Sequence, residues 1–269
     1  MSEILSLREL QKMELRILVD FDKYCRKHGL RYSLFAGTLI GAVRHGGFIP
    51  WDDDIDVCMP RADFRKLIDL LKQEPIENCS MLSPYDEASY FTGFFLKIFD
   101  TRTELIEFAE DNFPIKYGVF IDVFPLDFIN PTVNDIEKMF TDYHNMLKKH
   151  RRYIRKMHSK SLYKKILYKY KVKIIGRLIQ KELDNLDNQS NTETGWLSHG
   201  SICNSPFGRI YNSDMFADYC EMSFEGHSFS VMKGYEGYLW SRYGNYMQLP
   251  PEEERFGHHY IKAYMKGGC

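Results

Sequence analysis

Apolar residues recur at helical spacing from residue 7 to residue 28. Leu7, Leu10, Leu15, Leu18 and Phe21 share one face, and His28-Gly29 supplies a stop, so the spacing predicts an amphipathic helix. The period then changes. Arg31 to Phe35 reads as a short strand, and Leu39 to Arg44 as a short helix entered through the turn at Gly37-Thr38. A loop from His45 to Asp53 follows. Asp54 to Met59 opens with alternating acidic and apolar residues, which predicts a strand with one polar face. Pro60 ends it, and Asp63 to Lys72 reads as the next helix. Phe94 to Asp100, Thr103 to Phe108 and Val119 to Phe124 are rich in aromatic and β-branched residues and predict strands. Beyond the Asn130-Pro131 breaker, residues 133–188 read as mostly helical, with an apolar stripe through Ile174, Ile175, Leu178, Ile179, Leu183 and Leu186. A polar linker at 189–195 leads to short strands, a helix near Tyr235 to Tyr243, and the Leu249-Pro250-Pro251 breaker.

This order predicts an α+β fold: a mixed β-sheet flanked by helices, organised as one domain over 1–269 with a helical insertion at 133–188. Composition adds limits. With 44% hydrophobic and 15% aromatic residues the chain can build a substantial core, which excludes a wholly disordered chain. No run of 18 apolar residues occurs, so no transmembrane helix is expected. The start, MSEILSLREL, lacks a basic region followed by an apolar core and does not read as a signal peptide. The six cysteines are widely spaced and form no CxxC pair, so neither a disulfide framework nor a zinc site is supported. The expectation is a cytoplasmic protein whose membrane contact, if any, is peripheral.

The net charge of -1 conceals an asymmetry. Lys148 to Arg177 holds thirteen Lys or Arg and no Asp or Glu, so the remainder carries about -14. The acids are concentrated at one place. In Trp51-Asp52-Asp53-Asp54-Ile55-Asp56-Val57, Asp52, Asp54 and Asp56 are spaced by two, and an extended chain would turn them to one face. Carboxylates so placed repel, and a divalent cation resolves the repulsion. Hard oxygen ligands suit Mg²⁺ or Mn²⁺. A solvated acidic loop is the competing reading, and the alternation with Ile55 and Val57 weighs against it. Asp122 lies within the apolar run Phe120 to Phe124, where a carboxylate needs a partner. It is a further metal ligand, a turn cap or one half of an ion pair. Gly37-Thr38, at a predicted helix start, could seat a phosphate on backbone N–H groups.

Gly37-Thr38, Asp54-Ile55-Asp56 and Ile121-Asp122-Val123 together resemble the pattern of the nucleotidyltransferase superfamily, with Thr38 where serine is commoner. The stretch from Phe35 to Val57, FAGTLIGAVRHGGFIPWDDDIDV, is similar to the LicD family. Phe120 to Asp127, Tyr243-Gly244-Asn245-Tyr246, Leu249 to Glu252 and His258-His259 fit the same resemblance, so it spans nearly the whole chain outside the basic insertion.

The resemblance implies a nucleotidyltransferase-like fold and a phosphotransferase. Phosphocholine would move from CDP-choline to a sugar hydroxyl of a cell-envelope glycan, of teichoic acid or lipopolysaccharide type, with release of CMP. It implies that Asp54 and Asp56 hold Mg²⁺ or Mn²⁺ with help from Asp52, and that Asp122 is a metal ligand or the base. Arg44, Lys97 and Arg102 are candidate phosphate contacts, with structural ion pairs as the competing reading. His259 is a candidate base or substrate contact. Trp51, Trp196 and Trp240 could serve a choline head group, but spacing assigns no cage. Residues 148–177, with Tyr153, Leu162, Tyr163, Ile166 and Tyr168 among the cations, suit an anionic membrane surface where a lipid-linked glycan acceptor would sit. Nucleic acid is the weaker partner. Two other functions stay open: nucleotidyl transfer to RNA or a small molecule, and a non-enzymatic membrane-surface module with a structural metal.

Overall fold

The structure, a computed structural model, describes residues 4–85, 95–108, 114–129, 133–157, 161–189, 194–198, 210–257 and 261–266. In chain order its elements are α1 (Leu7–His28), β1 (Ser33–Leu34), α2 (Ala36–His45), β2 (Asp56–Pro60), α3 (Arg61–Gln73), β3 (Cys79–Leu82), β4 (Leu96–Asp100), β5 (Thr103–Phe108), β6 (Pro114–Tyr117) and β7 (Phe120–Phe128). There follow α4 (Val133–Met157), α5 (Leu162–Gln189), β8 (Trp196–Ser198), β9 (Ile210–Asn212), β10 (Tyr219–Phe224), β11 (His227–Met232), α6 (Tyr235–Tyr243) and β12 (Ile261–Met265).

Helix α1 has the expected bounds because both ends carry local stops. The Glu9 backbone N–H donates to Ser6 Oγ at 3.4 Å while the Ser6 N–H donates to the Glu9 carboxylate at 2.8 Å, and Gly29 closes the helix with φ 62°. Its buried face, including Leu10, Ile17, Leu18 and Phe21, packs on the central sheet.

That sheet runs β1-β2-β7-β4-β3. The β2–β7 pair is parallel and the others along this path are antiparallel, so the sheet is mixed, as expected. β7 extends four residues past Phe124 because β8 pairs with its far end, Asp127 with Ser198 and Phe128 with Leu197. A second sheet, β12-β5-β6, joins the chain ends: Leu5 N–H donates to the Ala263 carbonyl. The strands β3 and β6 were not expected, since both are four-residue segments without a clear period.

The predicted strand from Asp54 starts two residues later, at Asp56. Thr38 Oγ1 accepts the Asp56 N–H at 2.8 Å, which ends the loop there, and the Asp52 N–H turns back to the Ile49 carbonyl. Helix α2 is longer than its predicted core of Leu39 to Arg44.

Helices α4 and α5 pack on each other and build a small apolar cluster of their own around Ile179 and Leu183. The far end of α5 is tied to the sheet through Asp187, which accepts from Tyr85 and lies 3.3 Å from Arg65. Arg61 donates to both oxygens of Asp127 at 2.6 and 2.7 Å, a buried fork that locks α3 to the end of β7. No helix among the described residues is long and apolar enough to cross a membrane.

Candidate active site

Parallel pairing places Asp56 and Asp122 side by side at the starts of β2 and β7. Cα partners in neighbouring strands present side chains to the same face, so two acids 66 positions apart in sequence number become neighbours. On the other flank of β7, Lys97 is the register partner of Asp122. Its Nζ donates to both Asp122 oxygens, at 2.8 and 3.0 Å, and sits 3.2 Å from the Phe120 ring centroid. The two side chains are only 6% and 10% exposed.

The loop before β2 supplies the remaining acids. Asp52, Asp53 and Asp54 each bring a carboxylate oxygen within 4.8 Å of the others. Alternation along an extended chain does not produce this. The segment is a tight loop, so Asp53, which the spacing left out, is drawn in and buried. The close packing is visible at two glycines. A Cβ on Gly37 would fall 2.8 Å from Asp52 Oδ2, and one on Gly257 would fall 2.8 Å from Asp53 Oδ2. Gly37 therefore leaves room for a carboxylate, and the Gly257 backbone closes over the same loop from the far end of the chain.

Electrostatics couples these groups. Burial, with the Asp54, Asp122 and Asp52 carboxylates, holds the Asp56 carboxyl well above the usual carboxylate range, and Lys97 offsets only part of this. A cation would relieve it, and an all-oxygen set suits Mg²⁺ or Mn²⁺.

The predicted cations fall in three different places. Arg44 stays near the acids: burial lowers its guanidinium from the usual range, Arg255 adds to that and Asp52 opposes it. It also donates to the backbone carbonyls of Tyr246 at 2.7 Å and Gln248 at 3.3 Å, so it clamps the C-terminal loop. Lys97, expected at a phosphate, is instead held by Asp122. Arg102, expected likewise, grips Asp100 through both carboxylate oxygens in the β4–β5 turn. A short turn brings that pair together two residues apart, which makes it a structural ion pair. Thr38 is also engaged, as the acceptor that pins the Asp56 backbone. His259 lies outside the described residues.

Four residues near the acids were not singled out by spacing. Glu14, on α1, is completely buried, and Asp54, Asp53, Asp52 and Asp122 all act on it. Gln11, one turn earlier, donates Nε2 to the Asp52 carbonyl at 2.9 Å. Tyr243, at the end of α6, keeps 39% of its surface, yet burial around its hydroxyl pushes it up to about 12, with Arg242 opposing and Asp56 and Asp52 adding. Arg255 lies 5.6 Å from the Trp51 ring centroid. The legible signal was at Glu14: an acid between Leu10 and Ile17 on the apolar face of α1 demands an explanation.

Residues 29–165 match a family described as LicD/FKTN/FKRP, nucleotidyltransferase domain. Over 275 aligned positions the chain is 34% identical to the lipopolysaccharide cholinephosphotransferase LicD of Haemophilus influenzae, covering 97% of this chain and 98% of that protein. An uncharacterized protein of Rickettsia typhi is 38% identical over 61 residues, which is 22% of this chain and 20% of the relative. A similar protein of Rickettsia prowazekii is 39% identical over 58 residues, 22% of each.

Proposed function

The chain belongs to the LicD family, and from that premise we propose that it transfers phosphocholine from CDP-choline to a hydroxyl of a cell-envelope glycan and releases CMP. Lipopolysaccharide is the leading acceptor, because that is the acceptor in the printed name of the full-length relative; a teichoic acid is the second. The observation that carries the reading is the juxtaposition of Asp56 and Asp122 beside the Asp52–Asp54 loop.

Transfer of this kind needs in-line positioning and neutralised charge more than covalent help. The acceptor hydroxyl oxygen attacks the phosphorus that carries choline. The bond from that phosphorus to the bridging oxygen breaks, and CMP leaves with that oxygen. The hydroxyl proton passes to a neighbouring carboxylate. Asp122 is ion-paired with Lys97, and its carboxylate would serve as an anionic ligand or as the group that takes the proton. Mg²⁺ or Mn²⁺ held by Asp52, Asp54, Asp56 and Asp122 would neutralise the diphosphate and the leaving group. Arg44, which feels both the Asp52 carboxylate and the Arg255 guanidinium, would meet phosphate there, with Arg255 as a second cation.

The acceptor would be reached at the inner face of the membrane. Ile166, Tyr170, Ile174 and Leu178 recur every fourth residue along α5 and are 40–65% exposed, with Lys164, Lys165, Lys169, Lys171 and Lys173 on the same helix. An apolar row with flanking cations suits an anionic surface, at about 1 kcal/mol per cation near it. Flotation with vesicles containing anionic lipid should retain the protein; equal recovery with purely zwitterionic vesicles would remove this part.

The central test is incubation with CDP-choline, Mn²⁺ and lipopolysaccharide, following CMP and glycan-bound choline. Absence of CMP from this or any other CDP-alcohol would sink the reading. Labelled CTP or ATP leaving a nucleotide on the acceptor would replace it with nucleotidyl transfer.

A further inference from the structure

Resting on the metal-dependent reading above, we propose that Glu14 is a ligand of the same divalent cation, supplied by α1 from outside the residues that match the family domain. Both of its oxygens are sealed from solvent, and neither meets a hydrogen-bond partner. Its neighbours along the helix, Leu10, Ile17, Leu18 and Phe21, are buried and apolar. A buried carboxyl left without a donor is unfavourable in either protonation state: ionised it lacks a countercharge, and protonated it lacks an acceptor for its O–H.

Besides burial, the charges that act on Glu14 are those of the cluster: Asp54, Asp53, Asp52 and Asp122 all oppose its ionisation. Helix α1 is not free to turn it elsewhere, because the Gln11 amide one turn earlier bonds the Asp52 carbonyl at 2.9 Å. The carboxyl is therefore held against the acid loop by its own helix. A cation shared by the loop and Glu14 satisfies both oxygens and removes the repulsion at once.

Mn²⁺ binding, followed by the electron paramagnetic resonance of the free ion, tests this in wild type, Glu14→Gln and Glu14→Leu, with thermal melts with and without Mn²⁺. The expected result is a loss of Mn²⁺ affinity of roughly 10-fold or more in both variants, since even groups behind the ligands are worth that much. Without metal, neither variant melts below wild type, and the Mn²⁺-induced rise in Tm shrinks. Wild-type affinity in a folded variant overturns the proposal. So does a fall in the metal-free Tm of both variants with Mn²⁺ affinity kept, since that is a packing role. CMP release by wild type is measured on the same preparation. If wild type binds Mn²⁺ and releases CMP while the variants bind Mn²⁺ normally, Glu14 alone is struck out. If wild type binds no Mn²⁺, both this proposal and the metal in the function fall.

Discussion

Lys97 and Asp122 face each other across β4 and β7, with the ammonium reaching both carboxylate oxygens at 2.8 and 3.0 Å. The pair is almost dry, and Asp56 stands on the other side of Asp122. Removing the cation leaves the buried Asp122 and the half-buried Asp56 in register with no fixed countercharge.

Lys97→Met should accordingly lower the stability of the metal-free protein by about 3–5 kcal/mol, the range for breaking a buried pair. Urea unfolding measures it. Added Mn²⁺ should restore part of the loss, because it substitutes for the missing charge. A variant as stable as wild type, or one indifferent to Mn²⁺, would show that Asp122 is not held near the metal.

Asp54→Asn and Asp56→Asn should separate activity from stability. Losing a ligand that neutralises transition-state charge is worth several kcal/mol, so CMP release should fall on the order of 10³-fold. The Tm of the metal-free protein should stay level or rise, since the Asp56 carboxyl is crowded by Asp54, Asp122 and Asp52. Activity near wild type in either variant would contradict the assigned role.

Gly41→Ala addresses how α2 supports the acid loop. A Cβ at Gly41 would lie 2.5 Å from the Gly47 carbonyl oxygen and 3.2 Å from the Ile49 nitrogen, both backbone atoms with no rotamer to escape into. The expected cost is roughly 1–3 kcal/mol, with weaker Mn²⁺ binding because the same loop leads into Asp52. Gly176→Ala is the contrast: its Cβ would meet His150 Nε2 at an ordinary 4.0 Å, so the variant should gain ~0.5–1 kcal/mol from helix propensity. Denaturant midpoints for the two variants should move in opposite directions.

His150 makes the α4–α5 pair sensitive to acid. It is buried and its Nδ1 has no hydrogen-bond partner, and burial holds its imidazole below 6.5. The sign follows from linkage: the unfolded chain gains a proton as pH falls through 6.5 while the folded one resists, so stability is lost below that point. The protection factors of the α4 and α5 amides, with the intrinsic pH dependence of exchange divided out, should fall between pH 7 and 5.5. His150→Leu should flatten the change, and an unchanged pH profile in that variant would assign the sensitivity elsewhere.

The local elements were legible because their signals are local. The apolar spacing from Leu7 to Phe21 and the His28-Gly29 stop are α1, the aromatic and β-branched run at Thr103 to Phe108 is β5, and Tyr235 to Tyr243 is α6. The acidic run and the family likeness were equally readable, since Asp52 to Asp56 and the Gly37-Thr38 turn lie within one stretch. What spacing misjudged was the conformation of 52–55. Alternation implied an extended strand, but the Thr38 hydroxyl starts the ladder at Asp56, and the loop behind it curls Asp53 into the cluster.

The sequence by itself thus determined most of the elements, though not β3 and β6, together with the mixed sheet and the cluster of acids, because periodicity and turn chemistry act over a few residues. Only the tertiary structure decided which charges meet. Antiparallel register brought Lys97 to Asp122, 25 residues away; Gln11 brought α1 against Asp52 across 41 residues; and Glu14 was buried where the charges of the acids reach it. Coulomb and desolvation energies depend on distance and burial in space, and neither is written in the separation of residues along a chain.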